Sequence, residues 1–258
     1  RFSLSCLDKE DFPIIDKNND GINIKIESKI LFKLIDKTKF AISNEETRYF
    51  LNGLYFNITN EQNESNVTLV GTDGHRLAKF SYNIQEKVDQ VLGVIIPKKT
   101  IYELSKLLSE NDHDVSISIS SSKIVFKIGE IIFISKLIDG SFPDYKRVIP
   151  QNNTNILQIN RQTLLSAVDR VSTIANDKTP VIKFKLLQNI LNLNTVNSES
   201  STASEDLKIN YDGDDIEIGF NSKYIMDIVN NLEDDEISIN LKDNTSPITA
   251  LENSNSNL

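Results

Sequence analysis

The 258-residue sequence holds one cysteine, Cys6, so no disulfide can form within the chain, and a reducing, cytoplasmic setting is expected. Histidine is almost as scarce. His75 and His113 are the only two, and with a single cysteine they cannot build a Cys/His zinc site. The nine glycines are scattered, and none opens a phosphate-cradling loop ahead of a Lys-Ser/Thr pair. No apolar run approaches the ~20 residues of a membrane span, and no signal-peptide pattern is visible. The expectation is a chain with no metal, no cofactor and no membrane partner.

Positive charge is also in deficit. Lys and Arg total 28 against 37 Asp and Glu, a net charge of −9, which by itself argues against nucleic acid. The distribution qualifies this. Lys29, Lys33 and Lys37 recur at steps of four, with Lys39 beyond them, and such steps make a stripe along one helix face. Other helical segments carry Lys98, Lys99, Lys106, Arg161, Arg170 and Lys223. A solvated face explains one stripe. Like helices lining one surface would instead place a basic lining inside an acidic body.

The chain repeats itself. Ile30-Leu31-Phe32-Lys33-Leu34-Ile35-Asp36-Lys37 is echoed from Thr163, so that Asp36-Lys37 falls on Asp169-Arg170 and Ser43 on Asn176. Residues 97–108 match 221–232 in the same order. The opening run, from Phe2-Ser3 through Leu7-Asp8 to Phe12-Pro13, resembles Phe133 through Ile138-Asp139 to Phe142-Pro143. The unit is roughly 130 residues, domain-sized rather than solenoid-sized. The order of the echoes leads us to expect two units of at least three, with an earlier copy upstream and the closing strand of the last copy lost.

Within each unit the periodicity changes. Helices are expected over 28–43, 97–109, 160–175 and 221–232, each with apolar residues at 3.6-residue spacing. Ser28, Asn160 and Asn221 are the expected N-caps, and Pro97 suits a helix entrance. Strands are expected at 115–119, 123–128, 131–134, 216–218 and 236–241 from their alternation. Polar stretches at 60–66, 111–114 and 197–206 read as hairpin loops. The order strands–helix–strands–helix–strands predicts an α+β fold with antiparallel sheets and helices on one face. The boundary between units is expected near residues 150–155.

Thr72-Asp73-Gly74-His75-Arg76-Leu77-Ala78 sits between two apolar alternating runs, and Asp73-Gly74 is a tight-turn signal. Upstream stands Arg48-Tyr49-Phe50-Leu51-Asn52-Gly53. Downstream come Asp139-Gly140-Ser141-Phe142-Pro143-Asp144-Tyr145-Lys146-Arg147-Val148 and Gly219-Phe220-Asn221-Ser222-Lys223-Tyr224. In this order, over nearly the whole chain, the constellation resembles the bacterial DNA polymerase III β subunit family, the replicative sliding clamps.

That resemblance implies repeated DNA-clamp domains, each with antiparallel sheets outside and two helices on the inner face. It makes residues 1–19 the tail of a first domain, 20–150 the middle domain and 151–258 the C-terminal domain without its last strand. It implies a non-catalytic processivity factor, counted as a polymerase component, whose full-length chain forms a head-to-tail homodimer around double-stranded DNA without reading its sequence. Arg48, Tyr49, Phe50, Lys98 and Lys99 then become the DNA-side candidates. Partners would be the polymerase III alpha subunit, the clamp-loader delta subunit and other proteins bearing a Gln-Leu-x-Leu-Phe-like peptide. Carried over residue by residue, the peptide pocket comprises Leu51, Thr72, Gly74, His75, Arg76, Leu77, Pro143, Arg147 and Val148, with Asn221, Tyr224, Thr245 and Pro247 adjoining. Apolar anchors worth roughly 1.5–3 kcal/mol each, less the cost of ordering a peptide, put the expected affinity near ~−8 kcal/mol. Thr245 and Pro247 depart from the family pattern, and the family's Met-Pro-Met-Arg-like tail is not in the sequence. The chain as given is therefore not expected to close a ring. Two other readings stay open: a hydrolytic site assembled around His75, and a peptide-binding adaptor with no DNA role.

Overall fold

A computed structural model describes residues 2–11, 21–61, 64–84, 88, 92–176, 180–196 and 201–252. Phe12-Pro13, the end of the opening echo, lies outside them. The first module runs β1 (Ile22–Ile26), α1 (Ser28–Lys39), β2 (Gly53–Glu61), β3 (Glu64–Thr72), β4 (Leu77–Ile84), β5 (Leu92–Pro97), α2 (Lys98–Ser109), β6 (Val115–Ile119), β7 (Lys123–Ile128) and β8 (Ile131–Lys136). The second runs β9 (Asn155–Asn160), α3 (Arg161–Ser172), β10 (Val181–Leu187), β11 (Ile190–Val196), β12 (Thr202–Lys208), β13 (Ile216–Asn221), α4 (Ser222–Asn230), β14 (Glu236–Leu241) and β15 (Thr249–Glu252).

The two orders correspond element by element up to β7 and β15; β8 has no counterpart among the described residues. One sheet is β4-β3-β2-β5 in the first module and β12-β11-β10-β13 in the second; the other is β1-β6-β7-β8 and β9-β14-β15. Neighbouring strands are antiparallel throughout. α1 packs on α2, and α3 on α4. The sequence echoes thus mark one packing arrangement used twice.

Each module closes on its own core. Leu31, Leu34 and Ile35 of α1 meet Leu54, Phe56 and Ile58 of β2 and Val67 and Leu69 of β3 in the first. Leu164 and Val168 of α3 meet Phe184 and Leu193 in the second. The period of two sends Tyr55, Val70 and Ile95 to the opposite, outer face of the first sheet. The segment after β8 covers that face. Ile138 bridges Ile95, and Phe142 stacks on Tyr55 with ring centres 4.7 Å apart and planes 6° from parallel. Tyr145 closes on the same ring at 6.2 Å. Burial, with Tyr145 alongside, pushes the Tyr55 phenol above its ordinary pKa.

Several local expectations change. Asn160 and Asn221 cap α3 and α4, accepting from the backbone N–H of Thr163 and Lys223 at 3.0 Å. Ser28 does not cap α1. Glu27 holds that position, and the Ser28 hydroxyl donates to the His113 carbonyl, a tertiary partner outside the helix. The helices also stop short of the expected ends, α1 at Lys39 and α3 at Ser172. The polar stretch 60–66 is largely strand: β2 reaches Glu61 and β3 restarts at Glu64. Its polar side chains knit the hairpin end together, with Ser65 Oγ donating to Asn60 Oδ1 and Asn60 Nδ2 to the Val88 carbonyl. Likewise β12 begins at Thr202, so the 197–206 loop shortens, and 197–200 lie outside the described residues.

Candidate partner-binding site at the module junction

The turn between β3 and β4 is held by its own side chains. Asp73 Oδ1 accepts from the N–H of His75 (2.9 Å) and of Arg76 (3.0 Å). The Thr72 hydroxyl donates to the Arg76 carbonyl at 2.6 Å and accepts from Gly74 N–H at 3.1 Å. Gly74 has φ +89°, a backbone conformation that favours glycine, and a side chain there would displace the mobile end of Arg48. Thr72 and Leu77 pair across the strands, in register with Val70 and Lys79. They therefore share the outer face on which Ile138, Phe142 and Tyr145 pack.

The anchors differ in access. Leu51 is buried at the end of the short 3-10 segment Glu46–Leu51. Leu77 is half-buried, Pro143 and Arg147 are exposed, and Val148 is 60% exposed. Arg147 pairs with its neighbour Asp144, at 2.8 Å.

The second module reaches this turn through α4. His75 faces Tyr224 with ring centres 6.3 Å apart. The Arg76 guanidinium lies 4.5 Å from the Tyr224 ring centre and 2.5 Å from Asp227 Oδ2. His75, Arg76 and Tyr224, together with Phe40, Asp73, Lys98 and Tyr102, line a cavity of about 370 Å³. Thr245 sits in a turn organised by Asp243, whose carboxylate accepts from the N–H and hydroxyl of both Thr245 and Ser246. Those four hydrogen bonds hold the Asp243 carboxyl far below the usual carboxylate range. The Pro247 carbonyl accepts from Asn153 Nδ2 at 3.1 Å. Asn221 Oδ1 is occupied with capping α4.

A larger cavity of about 440 Å³ opens between the modules, lined by Lys79, Tyr145, Lys146, Ile149, Pro150, Gln151, Asn153, Asn240, Thr249 and Leu251. None of the expected pocket residues lines it; Leu77, Val148 and Pro247 flank its lining in sequence. Alternation along β4 places Lys79 on the face of Leu77, a signal that sequence reading could have used. Asp227 was likewise missed, although it stands three residues after Tyr224 on the same helix face.

The chain matches two consecutive family descriptions: DNA polymerase III beta subunit, central domain, over residues 25–144, and its C-terminal domain over 146–258. The chain belongs to the DNA polymerase III beta subunit family. It is 39% identical over 247 residues to the beta sliding clamp of Caulobacter vibrioides, covering 96% of this chain and 66% of that protein. It is 34% identical over 248 residues to the beta sliding clamp of Escherichia coli K12, with the same two coverages. Among solved structures, the sliding clamp from Bartonella birtlesii bound to griselimycin superimposes with a TM-score of 0.93 at 45% identity, over 98% of this chain and 68% of that one. A Pseudomonas aeruginosa DNA polymerase sliding clamp does so with a TM-score of 0.93 at 34% identity, over 99% and 69%. The fold is thus the α+β sliding-clamp fold.

In this beta-subunit chain the DNA-side candidates are unevenly free. Arg48 is gripped by Glu45, with Nε and Nη2 at 2.8 and 2.7 Å, which raises its pKa and lowers that of Glu45. Tyr49 is 54% exposed and meets Phe50 edge-on, so it is not a core residue. Lys98 donates to Asn44 Oδ1 and lies 5.6 Å from the Tyr102 ring centre, while Lys99 is exposed. The lysine stripe of α1 departs from expectation. Lys33 pairs with Glu233 at 2.8 Å, and Lys37, 8% exposed, lies between Glu233 at 3.1 Å and Glu252 at 2.8 Å. Its central members therefore join the modules instead of forming an open basic surface. The carboxylates responsible lie about 200 residues away, where no helical spacing could reveal them.

Proposed function

We propose that this chain supplies the middle and C-terminal modules, over 20–150 and 151–258, of a replicative sliding clamp. The intact protein would be a non-catalytic processivity factor that encircles double-stranded DNA as a head-to-tail homodimer. It would tether the polymerase III alpha subunit, the clamp-loader delta subunit and other proteins that carry a clamp-binding peptide. The chain spans 66% of the length of the curated relatives above, so the ring belongs to the longer protein.

The observation that carries this reading is the repetition of one sheet-and-helix arrangement in a chain whose family is that of the clamps. Like modules joined in succession generate curvature, as quasi-repeats do elsewhere. Cations on the helices then attract phosphates without reading bases, and retention on DNA comes from topology. The peptide site would use exposed Val148 and half-buried Leu77 as apolar anchors beside Tyr224 and His75. Cytoplasmic residence follows from the same reading.

The test is primer extension on a circular template with the full-length protein loaded. Longer products per binding event are expected, and they should vanish when a competing Gln-Leu-x-Leu-Phe peptide is added. Unchanged product length would defeat the clamp reading. A peptide-binding adaptor without a DNA role is the second reading. It is favoured by the pairing of Lys33 and Lys37 with carboxylates of the second module, which removes two cations from phosphate contact. It predicts peptide binding with no change in processivity.

A further inference from the structure

Arg76 belongs to the β3–β4 turn of the first module, yet its fork holds both modules. Its Nε donates to Asp73 Oδ2 at 3.2 Å, Nη1 to Asp227 Oδ2 at 2.5 Å, and Nη2 to the Phe40 carbonyl at 3.0 Å. Its face lies 4.5 Å from the Tyr224 ring centre and 5.3 Å from that of Phe40. Three of its five N–H donors are thus engaged inside the chain, and its side chain is only 13% exposed. A planar fork can hydrogen-bond at its rim and stack with its face at once, which a lysine cannot reproduce.

We infer that Asp227, acting through Arg76, is a positioning residue of the peptide site. Asp227 stands three residues after Tyr224 on α4 and draws the guanidinium across the Tyr224 ring. That contact sets Tyr224 opposite His75, with ring planes 26° apart, and so fixes one wall of the site across the module boundary. Without the Asp227 carboxylate, Arg76 keeps Asp73 and the Phe40 carbonyl, and α4 is left with only the ring contacts of Tyr224 to the turn. The inference rests on the peptide-tethering reading above and gives Arg76 a supporting role in it.

Asp227→Asn tests this at nearly constant size in the full chain. The sequence has two histidines, so His75 reports on the junction by NMR while His113, next to Gly129 in the first module, serves as the internal reference. The His75 ring resonances should shift and those of His113 should not. Affinity for a Gln-Leu-x-Leu-Phe peptide should fall on the order of threefold to tenfold. Arg76→Lys should do the same, and the double variant should be no weaker than Arg76→Lys alone. If Asp227→Asn leaves both the His75 resonances and the peptide affinity at wild-type values, the inference is overturned. If the unaltered chain binds no peptide, the tethering reading fails, and the His75 shift alone then decides whether Asp227 sets the junction.

Discussion

Lys37 Nζ on α1 lies 2.8 Å from Glu252 Oε1 on β15, and the two side chains are only 8% and 6% exposed. They come from different modules, so a nearly dry ion pair joins two separate cores. Lys37 also donates to the Asn231 carbonyl at 2.7 Å, and Glu252 accepts the Glu233 N–H at 2.7 Å. Each charge therefore has more than one partner, as burial of an ion requires.

Breaking that pair from one side should be costly. Lys37→Met strands the Glu252 carboxylate among buried groups and should destabilise the docked modules by about 3–5 kcal/mol. Lys37→Met with Glu252→Leu should recover most of the loss, because well-packed apolar residues can replace a buried pair at little net cost. Urea titrations of the unaltered chain, Lys37→Met, Glu252→Leu and the double variant measure the coupling directly. An unchanged midpoint for Lys37→Met alone would contradict the burial of the pair.

Acid should loosen the same junction. Glu233 has its pKa lowered from its ordinary 4.5, first by the Lys33 hydrogen bond and then by Lys37. A carboxyl with a depressed folded-state pKa contributes its stabilisation fully above the ordinary Glu range and loses it as pH falls through the lowered value. Stability should therefore be flat near neutrality and decline below about pH 4.5. Glu233→Gln should shrink that decline, and added salt should mimic the loss in part, since Glu233 is 58% exposed. A pH profile unaltered by the substitution would rule Glu233 out as a contributor.

The Asp243 turn offers a local test. With four donors converging on one carboxylate, Asp243→Ala should speed hydrogen exchange at the Thr245 and Ser246 amides while leaving those of β14 slow. If Thr245 belongs to the peptide site, affinity should fall in parallel. Unchanged exchange at both amides would mean that the turn is set by its backbone alone.

Leu51 and Val148 should respond in opposite ways. Leu51→Ala removes a buried side chain and should cost about 2–5 kcal/mol of stability. Val148→Asp alters an exposed one and should leave the melting temperature within a few degrees, yet reduce peptide affinity at least about tenfold. Calorimetry and peptide titration on both variants separate the two roles. Normal peptide binding by Val148→Asp would remove Val148 from the site.

Much of this molecule could be read in one dimension. Leu31, Leu34 and Ile35 advertise α1 by their spacing, and Val115, Ile117 and Ile119 advertise β6, because local geometry dictates which positions face a core. The caps at Asn160 and Asn221 were legible for the same reason, since their partners lie two or three residues away. Ser28 misled because its hydroxyl prefers His113, 85 positions distant. Polar Asn60 and Ser65 misled because strand ends can satisfy polar side chains by bonding them to one another.

By itself the sequence determined the two-fold repetition, the order of elements and the family, all of which rest on short-range periodicity and on motifs contiguous in the chain. Tertiary structure alone decided what Lys33, Lys37 and Arg76 do. Their anionic partners Glu233, Glu252 and Asp227 sit on the other module. Charge attraction depends on distance through space, which only the docking of the two separate cores sets.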